Sequence, residues 1–174
     1  MCANRNLAGM ILLITHQGEQ NRTALNKLLF FSDLVSYFKY QKTISEDEYL
    51  KLDFGPVPHS VDDVRTWLVS SEMMTEELNK YAAYRTYLYN PTEKVNFQAV
   101  QNHFGEHQVE IINSVVSRLG RETATTLSAI THEFEPWLSA DWAESLDFER
   151  AIDDDRLKKW LQDKSLLTRD DPVN

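Results

Sequence analysis

The residues best suited to chemistry in this chain are its histidines, its acidic clusters and one cysteine. His103 and His107 stand four apart, a spacing that sets two imidazoles on one face of a helix. A zinc-hydrolase signature needs a glutamate directly after the first histidine. Phe104 holds that place, Gly105 weakens any helix between the pair, and Glu106 does not restore the pattern. Two surface histidines near a helix start account for the spacing without a metal. Asp62-Asp63 falls where a helix begins, and carboxylates there favour the helix dipole without any reaction. Asp153-Asp154-Asp155 reads as a solvated run. There is no Gly-x-Ser-x-Gly, and the five glycines are scattered singly, so no phosphate-cradling loop is spelled out. Cys2, beside the first Met, reads as an incidental thiol. No catalytic, cofactor-binding or metal-binding set is predicted, and nothing in these residues demands an enzyme.

The totals agree with that reading. With 174 residues and 42% hydrophobic content the chain can bury a core of its own. One domain over residues 1–162 with a flexible tail over 163–174 is expected. A single cysteine excludes an internal disulfide and suits a reducing cytoplasm. The apolar run Met10–Ile14 is too short for a signal sequence, so it reads as the buried face of a first helix, Leu7–His16. No membrane insertion is expected. The net charge of −9 is unevenly spread. Residues 1–42 carry five basic and two acidic groups, whereas residues 43–79 carry two basic and nine acidic ones, or −7. That acidic middle repels a phosphate backbone and attracts a basic partner.

The positioning elements centre on one stretch, Asn21–Tyr40. Leu25, Leu28, Ser32, Val35 and Phe38 recur at helical steps, and Leu29, Phe30, Phe31 and Leu34 widen the stripe. A helix apolar nearly all round is buried on several sides. Asn21 is its expected cap, and it should end near Lys42. Ser45-Glu46-Asp47-Glu48 then spells a capping box for a short helix. Gly55-Pro56-Val57-Pro58 reads as a stiff non-helical corner, followed by a helix through Val61, Val64, Trp67 and Leu68. Met73–Leu78 and Arg85–Tyr89, rich in aromatic and β-branched residues, predict a hairpin. Helices follow over Gln108–Leu119 and Glu122–Thr131, with Gly120 as a stop, and Leu157, Trp160 and Leu161 mark one more. The fold class is therefore mainly α with a small antiparallel hairpin or sheet, in one helical domain.

Helices followed by a hairpin also suggest a winged-helix DNA-binding regulator, with Val61–Ser70 as the reading helix. Asp62 and Asp63 against Arg65 alone argue against it, because groove-reading helices are basic. The other exposed candidates are the Gly55-Pro56 corner and Thr131–Trp137. Trp137 fits either a core plug or a surface anchor for a partner, and His132 either a hydrogen bond that fixes the turn or part of that anchor.

Three stretches, in order, resemble the Panacea domain of the SocA-like antitoxin family. Asn26-Lys27-Leu28-Leu29-Phe30-Phe31-Ser32-Asp33 is similar to that family's Lys-Leu-Leu-aromatic-aromatic-small-Asp helix. Phe54-Gly55-Pro56-Val57-Pro58 resembles its aromatic-Gly-Pro-Val corner. Leu127-Ser128-Ala129-Ile130-Thr131-His132 with Pro136-Trp137 resembles its late Leu-Ser-x-x-Thr-His and Pro-Trp pattern. One departure stands out: the family often has a glycine ahead of its Ile-Ser/Thr turn, and this chain has Gln41-Lys42-Thr43-Ile44-Ser45. The resemblance implies an antitoxin that binds a cognate protein toxin and, as in one relative, a possible adaptor to a cytosolic protease. It also implies partner-binding or motif roles for Asp33, Phe54, Gly55, Pro56, Val57, Thr131, His132, Pro136 and Trp137.

Overall fold

The computed structural model describes residues 4–82, 85–168 and 171. Cys2, Tyr84 and most of the end expected to fray, Thr168 to Asn174, lie outside the described residues. Helix α1 (Arg5–His16) begins where Asn4 Oδ1 accepts from the Leu7 N–H at 2.9 Å, and Leu7 to Thr15 are buried. A two-residue strand, β1 (Gln20–Asn21), follows. Asn21 then caps α2 (Arg22–Tyr40) by accepting from the Ala24 N–H at 2.9 Å, as its side chain predicts. Every residue of α2 from Ala24 to Ser36, and Phe38, is buried. Its end is set by Gln41 in the left-handed conformation at φ +53°, whose N–H reaches the Tyr37 carbonyl at 2.9 Å.

The short helix expected at Ser45–Glu48 does not form. The Ser45 hydroxyl, which a capping box would aim at the Glu48 N–H, donates instead to the buried carboxylate of Asp33. The same oxygen accepts from the Asp47 N–H at 3.1 Å, two residues on and not three. The chain next forms β2 (Tyr49–Leu52) and β3 (Gly55–Pro58), paired antiparallel from Tyr49–Pro58 to Leu52–Gly55. The Gly55-Pro56-Val57-Pro58 corner is thus one arm of a tight hairpin, turning through Asp53 and Phe54. Prolines suit this strand because its outer edge needs no donors.

Helix α3 (Val61–Ser70) buries Val61, Val64 and Leu68. Arg65 is buried as well, so the outward face of α3 presents Asp62 and Asp63. The predicted second hairpin is present as β4 (Met74–Leu78) and β5 (Tyr87–Pro91), and β1 extends it to the sheet order β1–β5–β4. Then come α4 (Phe97–Asn102), α5 (Glu106–Leu119), α6 (Ala124–Thr131), α7 (Glu135–Leu138), α8 (Glu149–Ile152) and α9 (Asp155–Asp163). Helices α1, α5, α6 and strand β3 all pack on α2, which is the axis of an α+β fold. Leu166 and Leu167, in the stretch that sequence assigns to the tail, are buried in the same core.

Candidate functional site

The three motif stretches meet at Gly55. Its φ of +106° is one that side chains resist, and space forbids one too: an added Cβ would stand 2.5 Å from Lys27 Cε and 2.9 Å from Thr131 Oγ1. Glycine lets the hairpin press directly against α2 and α6. Lys27 lies beneath it, only 1% exposed, and donates from Nζ to the Pro56 carbonyl at 3.3 Å. No carboxylate pairs with that amine among the described residues. Burial pulls the Lys27 pKa down from 10.5 to about 7.

Helix α6 supplies the other wall. Thr131 is buried and turns its hydroxyl back to the Ser128 carbonyl at 2.8 Å, as helical threonines do. Ser128 Oγ donates to the Phe54 carbonyl at 2.8 Å and so ties the hairpin turn to α6. The His132 ring stacks on Trp137, with centroids 4.2 Å apart and planes 15° from parallel. Its Nε2 is buried without a partner among the described residues. Of the two readings of His132, the ring contact with Trp137 is the one its geometry displays, and Nε2 takes no part in a hydrogen bond among the described residues. Burial, then the charges of Lys27 and Lys51, push the His132 pKa down. Pro136 is buried in the first turn of α7. Lys51 reaches over Trp137, 4.9 Å from the ring centroid, and donates to the Trp137 and Ala140 carbonyls at 2.9 Å each. Trp137 is half-buried, between plug and anchor.

Of the other motif residues, Val57 is half-buried in β3, and Phe54 projects from the turn with 72% exposure. Asp33 does not join this cluster. It is fully buried and accepts from Ile44 N–H at 2.5 Å, Ser45 N–H at 2.9 Å, Tyr49 Oη at 2.7 Å and the Ser45 hydroxyl. Burial still pushes its carboxyl up to about 6, against the pull of those donors. Its work is to bind the segment after α2 to the helix.

Lys27 enters the sequence reading only as the lysine of the Lys-Leu-Leu motif, and nothing there singles out Lys51. Both are ordinary lysines in pattern, and only the position of Lys27 on the inward side of an all-round apolar helix hints at burial. The pair His103 and His107 is split: His103 follows α4 and bonds Asn6 Oδ1 at 2.8 Å, while His107 sits in α5 against Tyr40. Among the described residues no group of three or more His, Cys, Asp or Glu is placed to hold a metal, and no helix is long and apolar enough to cross a membrane.

Residues 25–138 match the family model described as antitoxin SocA-like, Panacea domain. No curated protein and no solved structure matches the chain. The matched stretch takes in Lys27, Asp33, the Gly55 turn, His132 and Trp137, and it covers well over half the sequence; the protein belongs to the SocA-like antitoxin family through its Panacea domain.

Proposed function

We propose that this protein neutralises a cognate protein toxin by binding it directly, and that the hairpin turn at Asp53-Phe54 forms part of the contact. Membership of the family supports the antitoxin role. The observation that carries the rest is the convergence of the three motifs on Gly55, which fixes an outward-pointing aromatic on a rigid turn. Rigid anchors bind tightly because little freedom is lost on association. Lys27 is a positioning residue here. Burying an unpaired amine costs stability, and such groups persist where geometry matters more. Its bond to the Pro56 carbonyl holds the turn from below.

The test is to express the small open reading frame adjoining the gene, with and without this chain. Growth arrest by the neighbour that this protein relieves, with the two proteins co-purifying, supports the reading. Arrest that persists beside well-folded protein overturns it. Relief that vanishes in cells lacking one cytosolic protease would assign delivery to that protease as the route.

A further inference from the structure

Resting on the antitoxin reading, we infer that the toxin docks on an aromatic pair, Phe54 and Trp142, and that it does so with a basic surface carrying an apolar anchor. Trp142 is not among the motif residues. Yet it is 67% exposed and Phe54 is 72% exposed, two large apolar side chains left in water. They belong to one patch. Trp142 Nε1 donates to Asp53 Oδ1 at 3.0 Å, and Asp53 is the residue directly before Phe54.

The backbone holds the pair together. Residues 143–146 run alongside β2: Ala143 N–H donates to the Lys51 carbonyl at 2.8 Å, Lys51 N–H to Glu144 at 2.9 Å, and Leu146 N–H to Tyr49 at 2.7 Å. Leu50 and Ser145 form an antiparallel bridge. Strand β2 therefore has β3 on one edge and this segment on the other. Ala143 adopts φ +65°, a left-handed conformation that costs a non-glycine residue about 1 kcal/mol. This costly bend follows directly after Trp142, and the indole rests beside the hairpin turn.

Charge then selects the occupant. Residues 133–149 contain six acidic residues, Glu133, Glu135, Asp141, Glu144, Asp147 and Glu149; Arg150 pairs with Asp147 and Arg156 approaches Glu135, which leaves Asp141 and Glu144 beside Trp142 without an ion pair among the described residues. All six are exposed, as is Asp53. The nearby Lys51 amine is spent on two carbonyls and Lys27 is buried. An aromatic pair flanked by Asp53, Asp141 and Glu144 complements a partner surface of lysines and arginines around a hydrophobic side chain. It repels nucleic acid and anionic membrane alike.

The experiment uses the full chain and the purified product of the adjoining reading frame, inactivated for handling. Association is measured for the wild type, for Phe54→Ser with Trp142→Ser, and for Asp141→Lys, at low and high salt. Exposed aromatic anchors at an interface centre predict a loss of at least about 30-fold in affinity for the double variant. Asp141→Lys should slow association, and the salt dependence should weaken with it. Both thermal midpoints should stay near the wild type, because no core side chain changes. A photo-cross-linking side chain introduced at Phe54 or Trp142 should capture the toxin. The same side chain at Leu78, exposed at 48% on the far hairpin, should not. A wild type that fails to bind overturns the antitoxin reading itself. A wild type that binds while the double variant binds equally well, or cross-linking confined to position 78, leaves that reading intact and overturns this surface.

Discussion

Two buried charges on one helix make opposite bargains. Asp33 accepts from four donors and ties the segment after α2 to that helix. Lys27, less than two turns away, has among the described residues one long hydrogen bond and no acid, with unpartnered buried atoms at Asn26 Oδ1 and His132 Nε2. The fully satisfied charge is a device of folding. The under-satisfied one weakens the fold and sits under the turn that carries Phe54, the turn proposed to meet the toxin.

The contrast is broken most severely at Asp33. Asp33→Ala strands two N–H groups and two hydroxyls in the core, each costing about 1–3 kcal/mol, so the loss should reach roughly 4 kcal/mol or more. Chemical denaturation checks it. A smaller loss would mean that water enters and satisfies the donors. Gly55→Val comes next, at about 3 kcal/mol, from its positive φ and its collision with Lys27 and Thr131. Neutralisation should fail along with it in the growth assay.

pH separates the two charges further. Between pH 7 and 10.5, folded Lys27 holds fewer protons than the unfolded lysine, so its contribution makes the fold more stable as pH rises across that window. Between pH 3.8 and 6, folded Asp33 holds more protons than the unfolded aspartate, so its contribution falls as pH rises. Lys27→Met should therefore be more stable than the wild type at pH 7, with the advantage shrinking toward pH 10. Unfolding curves of both proteins across that range measure the difference, and a constant offset would contradict the burial of a charge-bearing amine. The smallest effect is at Gln41, held at φ +53°. Gln41→Gly should raise stability by about 0.5 kcal/mol, the relief of left-handed strain less the added freedom of the unfolded chain. A thermal melt resolves it.

Much of this scaffold is legible in the sequence because its signals are local. The stripe through Leu25, Leu28, Val35 and Phe38 gives α2, the Asn21 side chain gives its start, and the aromatic run at Tyr87–Tyr89 gives a strand. What is hidden depends on distant partners. Ser45 looks like a helix cap until Asp33, twelve residues earlier, takes its hydroxyl. Pro56 and Pro58 look like a corner until β2 pairs with them. Within the candidate site, Gly55 announces itself as a glycine before proline. Lys27 shows only through its motif, and Lys51 and Trp142 not at all, because a lysine or tryptophan has no periodic signature that tells burial from exposure.

The most direct measurement pairs stability with neutralisation in Lys27→Met at pH 7. The amine's proposed place beneath the turn predicts a protein that melts at a higher temperature and yet loses most of its ability to relieve toxin arrest. A variant that is more stable and neutralises as well as the wild type would contradict it.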